Sequence, residues 1–177
     1  SRLARLFTLL VATCISLSTQ AGTTGTGVHL PEYTTTILPN GATVLLMPRH
    51  DVPMIAASVL VRGGSLADTA GKEGTASLLA DLMEKGAGER DALAFAQTVD
   101  GAGGSLSFGS SREAIVANAQ FLSKDSGLML SLLGDALLRP RLDAAEFDKL
   151  KKRAIDAIAS AKDGDPRGLI RNYTNAW

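Results

Sequence analysis

Between Thr34 and the C-terminus the apolar residues change their repeat several times, from strand-like to helix-like and back. That order leaves few architectures open. Thr34 to Leu38 and Thr43 to Met47 are short β-prone runs on either side of Pro39-Asn40-Gly41. Asn-Gly between such runs signals a hairpin, because both residues tolerate positive φ. Pro48 to Pro53 is a second turn, and Ile55 to Val61 is a strand so nearly apolar throughout that it is expected at the centre of a sheet. Gly63-Gly64 ends it.

A helix opens between Gly71 and Gly74, with Leu78, Leu79, Leu82 and Met83 on one face, and Gly86 and Gly88 stop it. A second, short helix is predicted over Asp91 to Val99. After the turn at Gly101, Gly103 and Gly104, Leu106 to Phe108 and Ala114 to Ala119 read as two strands joined through Ser110 to Glu113. Leu128 to Leu138 is an apolar helix ending before Pro140. Asp143 with Glu146 three residues on resembles a capping box for the next helix, whose buried face is expected to be Phe147, Leu150, Ala154, Ile158 and Ala161. Asp165-Pro166 starts a last helix. Strands, two helices, strands, two helices point to an α+β fold, a mostly antiparallel sheet with helices packed on one face.

A length of 177 residues suits one domain or part of one, and 45% hydrophobic residues suffice for a core. Lys+Arg and Asp+Glu both total 18, so there is no basic footprint for nucleic acid, and 5% aromatics make a base-stacking platform implausible. Phe95, Phe108 and Phe121 are therefore read as core, and the run Lys149, Lys151, Lys152 and Arg153 as a solvated helix face.

The first 21 residues differ from the rest. Arg2 and Arg5 precede an apolar run from Leu6 to Leu17, and Thr19-Gln20-Ala21 places small residues where signal peptidase reads. At about 12 residues the run is shorter than the roughly 20 a membrane span needs. Residues 1–21 are thus expected to be a secretory signal, 22–32 a flexible Gly/Thr lead-in, and 33–177 the domain. The periplasm or the exterior is the expected destination. Cys14, the only cysteine, lies in the signal segment; lipidation there is the weaker reading, because Thr13 is a poor fit and the apolar run continues past it. Loss of that segment would leave no thiol for a disulfide or a nucleophile. The chain starts with Ser1 and ends at Trp177 inside an expected helix, so both ends are read as cut and the sheet as incomplete at the C-terminus.

Several local sequences, taken in order, resemble the insulinase/pitrilysin peptidases. They are Leu38-Pro39-Asn40-Gly41 with the strand after it, then Val61-Arg62-Gly63-Gly64-Ser65, Asp68 and Gly71-Lys72-Glu73-Gly74 before the first helix. Leu78-Leu79 and Glu84-Lys85-Gly86 follow, then Gly103-Gly104-Ser105-Leu106, and finally Arg139-Pro140 and Glu146-Phe147. The resemblance covers roughly residues 34–177, and it lies in the order and spacing of the pieces rather than in any one of them.

Active members of that family carry H-x-x-E-H on the first helix. Two imidazoles one turn apart hold zinc, the Glu activates water, and a Glu on a later helix is the third protein ligand. Zinc chemistry needs such donors and an open position where a bound water ionises near neutral pH. Here the matching window is Ser77-Leu78-Leu79-Ala80-Asp81. Ser77 and Asp81 stand where the two His would be, and Ala80 where the general base would be. The third-ligand position falls near Ala157, with Asp156 beside it. The only histidines, His29 and His50, precede this helix and have no partner at ligand spacing. Ser77, Asp81 and Asp156 are too few oxygens for a hard cation. Gly101-Ala102-Gly103-Gly104 lacks the rest of a phosphate loop. No G-x-S-x-G elbow occurs, and Ser77 with Asp81 has no His nearby for a triad.

The resemblance therefore implies a chain with no catalytic residue, no metal ligand and no cofactor of its own. It would pair with a zinc-bearing homologue to make a peptide-degrading or peptide-processing clamshell. In such pairs the zinc-free subunit can grip substrate through an Arg/Tyr pair in its C-terminal half, which lies outside this sequence. Two other readings stay open: a stand-alone peptide-binding or scaffold protein of the cell envelope, which could add a peptide at a sheet edge, and an active zinc metallopeptidase with displaced ligands.

Overall fold

The computed structural model describes residues 31–164. The expected signal segment with Cys14, His29, nearly all of the lead-in and the helix expected from Asp165 lie outside the described residues. The chain forms two compact units, one ending at Arg49 and one beginning at His50.

In the first unit, strands β1 (Thr34–Ile37) and β2 (Thr43–Leu46) pair antiparallel, with Thr34 opposite Leu46 and Ile37 opposite Thr43. The Gly41 N–H donates to the Leu38 carbonyl at 2.8 Å, and the Leu38 N–H donates to the Ala42 carbonyl at 2.9 Å. Of the Asn-Gly pair only Gly41 takes positive φ, 83°. The turn is thus a type I turn closed by a glycine bulge, which suits Pro39 at its second position. Asn40 contributes its side-chain oxygen instead, accepting from the Ala42 N–H at 3.1 Å.

The second unit is built on a three-stranded antiparallel sheet. Its strands are β3 (Met54–Arg62), β6 (Ser105–Ser110) and β7 (Ala114–Leu122), in the order β3-β7-β6. Between β3 and β6 in sequence come helix α1 (Thr75–Met83), two-residue strands β4 (Gly86–Ala87) and β5 (Arg90–Asp91), and helix α2 (Ala92–Gly101). Helices α3 (Ser126–Leu138) and α4 (Ala144–Gly164) follow β7.

The register explains the one-sided packing. Ile55 lies opposite Phe121, Ala57 opposite Ala119, Val59 opposite Ala117, and across the other seam Ala117 faces Phe108. These residues share one face, and α1, α2 and α3 cover it. Ala56, Ser58, Asn118, Gln120 and Ser107 occupy the opposite, exposed face. Phe121, Met129 and Leu132 are the largest fully buried side chains, and Phe95 and Phe108 join them as expected.

Two expectations are corrected. β3 is not central: among the described residues it flanks the sheet, and β7 lies in the middle. An apolar run does not reveal how many neighbours a strand has, and two thirds of β3, including Leu60 and Met54, is exposed. The face expected to be buried on α4 is only partly covered. Leu150 is buried and Ala154 and Ala161 are half-buried, but Phe147 is 37% and Ile158 57% exposed. The physical reason is partner geometry: α4 packs chiefly on α1, so only the residues turned toward α1 lose solvent. Asp143 does cap α4, accepting from the Ala145 N–H at 2.9 Å, whereas Glu146 turns to the Lys149 ammonium instead of completing a capping box. No described helix is long and apolar enough to cross a membrane.

Candidate functional site

Helix α1 is the element on which the expected chemistry depends, and a chain of backbone contacts places it. Gly64 (φ 55°) enters a short 3-10 turn, Gly64–Ala67, against the β6–β7 turn. There the Ser65 N–H donates to Ser111 O at 3.0 Å and the Leu66 N–H to Arg112 O at 2.9 Å. A Cβ on Gly64 would run into the Ser111 backbone, so only glycine permits this approach. The turn delivers Asp68 to the start of α1. The residue preceding the helix, Gly74, has no side chain to cap it, and Asp68 does so from six residues away. Its two carboxylate oxygens accept from the Gly74 N–H at 2.8 Å and the Ala76 N–H at 2.9 Å. A carboxylate there also meets the positive end of the helix dipole. Just before it, the Gly71 N–H donates to Glu73 at 2.9 Å and holds that carboxyl below its ordinary range.

Along α1, the three positions of interest point different ways. Ser77 and Asp81, four residues apart, share an exposed face, whereas Ala80 is 1% exposed and belongs to the hydrophobic core. Helix α4 lies against α1 and carries Asp156 and Ala157, both exposed. The Asp156 carboxylate accepts from the Lys152 ammonium at 2.7 Å, an ion pair within α4. Zinc in a catalytic site takes three protein donors around a tetrahedron, mostly imidazole, thiolate or carboxylate. A hydroxyl, a solvated carboxylate and a lysine-paired carboxylate do not match that set. Among the described residues no group of three or more His, Cys, Asp or Glu gathers in ligand geometry. Beside Ser77 on that face α1 presents the Asp81 carboxylate and no imidazole. With these side chains the arrangement can cap, pack and hydrogen-bond.

Two polar contacts carry more structure than the sequence suggested. Asp135, a lone acid in the apolar helix α3, has a side chain only 12% exposed and pairs with Arg90 at 3.4 Å and with Arg139. That bond pushes the Arg139 guanidinium further above its ordinary range. The pairings fasten β5 to the end of α3, where residues 139–141 add to β4 through Gly88 N–H to Arg139 O and Arg141 N–H to Gly86 O. A single acid inside an otherwise apolar helical stretch was the available signal. The other contact joins Glu84, at the end of α1, to the backbone of β6: the Phe108 N–H donates to Glu84 Oε1 at 2.8 Å. No local pattern marks that pair.

Comparison with known proteins gives a consistent family. The model of the insulinase family (peptidase family M16) matches residues 43–175. The chain is 30% identical over 142 residues to the beta subunit of the mitochondrial-processing peptidase of Blastocladiella emersonii, covering 79% of this chain and 30% of the relative. It is 29% identical over 135 residues to an uncharacterized zinc protease of Mycobacterium leprae, covering 76% of this chain and 30% of that protein. Its fold matches the crystal structure of a peptidase M16 inactive domain from Pseudomonas fluorescens with a TM-score of 0.72 at 24% identity, over 77% of this chain and 33% of that one. The chain thus spans about a third of the length of these proteins.

Proposed function

Because this chain belongs to the insulinase family of peptidases (family M16), we propose that it is the N-terminal domain of a non-catalytic member that works beside a zinc-bearing homologue. The observation that carries the proposal is the state of α1. Ser77 and Asp81 occupy the exposed face where imidazoles would have to project, and Ala80, where the water-activating carboxylate would stand, is part of the packed core. Without imidazole donors and a base, a peptide carbonyl meets neither an activated water nor a Lewis acid. The turns and caps that aim α1 are nonetheless intact, from Gly64 through Asp68. A helix start kept in order while its chemistry is absent suits a packing or substrate-holding role. The Pseudomonas fluorescens neighbour is described as an inactive domain, and the Blastocladiella emersonii relative is named as a subunit. The first description fits a domain without chemistry of its own, and the second name fits a chain that works beside a partner. The zinc would then sit in the partner, the substrate would be a peptide, and residues 1–21 would direct the chain to the periplasm or out of the cell.

The test uses the full-length protein, alone and mixed with a zinc-bearing homologue from the same cell. The chain alone should hold no stoichiometric zinc and cleave no peptide, while the mixture should show chelator-sensitive cleavage and co-elute as a complex. Chelator-sensitive cleavage by the chain alone would overturn the proposal. Recovery of unrelated envelope proteins, with no zinc-bearing homologue among them, would favour a stand-alone scaffold.

A further inference from the structure

Among the described residues β6 is the outer strand on one side of its sheet. In an antiparallel pair, alternate residues turn their N–H and C=O groups away from the partner. Ser111 N–H bonds to Ala114 O, and the register continues with Gly109 opposite Val116 and Ser107 opposite Asn118. Leu106, Phe108 and Ser110 therefore direct their backbone groups to the open edge. Such a row is a template for another strand, and folded proteins usually deter pairing with charge, proline or a bulge in the edge strand itself. Ser105–Ser110 reads SLSFGS, with no charge and no proline.

The middle donor of the row is nevertheless taken. The Phe108 N–H is bonded to Glu84 Oε1, and Glu84 is the half-buried C-terminal cap of α1. A carboxylate at that end of a helix faces the negative end of the dipole, so the helix alone gives no reason for it. Its partner on β6 does. We propose that Glu84 is an edge guard: its carboxylate occupies the central outward amide of β6 and keeps that strand from pairing with the β6 strand of a second copy of this chain. A charge supplied from a neighbouring helix replaces the deterrent that the strand lacks. Any strand adding to β6 would first have to displace Glu84 and would bury its charge against the new seam.

The test compares the full chain with its Glu84→Ala and Glu84→Gln variants by amide hydrogen exchange and by sedimentation velocity over a wide concentration range. In the wild type the Phe108 amide should exchange at least about tenfold more slowly than those of Leu106 and Ser110, which face the same edge. Glu84→Ala should abolish that difference and self-associate with rising concentration. Glu84→Gln, which keeps the acceptor but not the charge, should keep the Phe108 amide protected while self-associating more readily than wild type. Adding Gly109→Lys to Glu84→Ala should restore the wild-type sedimentation coefficient, since a side chain at Gly109 meets no neighbour and would place charge on the exposed strand. If Glu84→Ala loses its helical circular dichroism, Glu84→Ser takes its place, with a hydroxyl too short to reach β6. Equal exchange at the three amides of the wild type overturns the inference. So does a folded Glu84→Ala or Glu84→Ser variant that keeps the wild-type sedimentation coefficient at every concentration.

Discussion

Placing a carboxylate on α1 by Ala80→Glu should give no peptidase activity, and the way it fails tests whether this part of the helix belongs to the core. Ala80 is 1% exposed and packs in the cluster that includes Met83, Phe95 and Phe108. The substitution adds a methylene and a carboxyl beyond the space where a methyl group now fits. Overpacking of this kind costs about 1–3 kcal/mol. Burying a carboxyl without a partner adds about 1–3 kcal/mol. A loss of about 2–6 kcal/mol is a large share of the ~5–15 kcal/mol that stabilises a typical domain. Burial would also raise the pKa of the new carboxyl in the folded state. Between the unfolded value, about 4.3, and the raised folded value, the native state binds more protons than the unfolded state. Stability of the variant must then fall as pH rises, by up to about 1.4 kcal/mol per pH unit. Urea unfolding at about pH 4.5 and about pH 7.5 separates the two contributions: the packing cost is present at both, and the carboxylate cost grows at the higher pH. A variant as stable as wild type at neutral pH, or one whose loss does not depend on pH, would show that Ala80 borders a cleft with room for a charged base. So would zinc-dependent cleavage by the triple variant Ser77→His, Ala80→Glu, Asp81→His.

Three further outcomes are expected. Gly104→Ala should cost about 1–3 kcal/mol, toward the upper end, because its Cβ would press into Cδ1 and Cε1 of the buried Phe121 ring. In a Phe121→Leu background most of that cost should vanish in a double-mutant cycle of urea midpoints. Asp68→Ala should lower stability by about 1–2 kcal/mol, since two helix-start N–H groups lose their acceptor, and amides at the start of α1 should exchange faster. Glu73, whose carboxyl is lowered by the Gly71 N–H and then by its own backbone N–H, contributes stability that is present above its unfolded pKa and lost as pH falls through its folded one. Glu73→Gln should therefore narrow the difference in thermal midpoint between neutral and acid pH, and an unchanged acid limb would contradict that assignment.

Much of the fold could be read from local chemistry. Pro39-Asn40-Gly41 encodes a turn through the conformational limits of three residues, and Asp91 and Asp143 announce helix starts because a short acidic side chain can reach the N–H groups behind it. The alternation of strand and helix periods specified an antiparallel sheet with helices on one face, and the residue types on α1 by themselves exclude an imidazole pair. These properties depend on neighbours within a few positions along the chain.

What required the tertiary structure was every question of which surface meets which. The apolar run from Ile55 to Val61 could have been central or outermost; β7 took the centre, where its small residues Ala117 and Ala119 pair with strands on both sides. Phe147 and Ile158 carry the right period for burial on α4, yet remain exposed, because α4 meets little besides α1. Asp135 among apolar neighbours, and Glu84 at the unfavourable end of a helix, make sense only once Arg90, Arg139 and the Phe108 amide come to them from distant parts of the chain. Turn preferences and the local caps of Asp91 and Asp143 act over one turn, so the sequence by itself determined them. Burial and ion pairing act through space, and their partners are chosen only when the layers close.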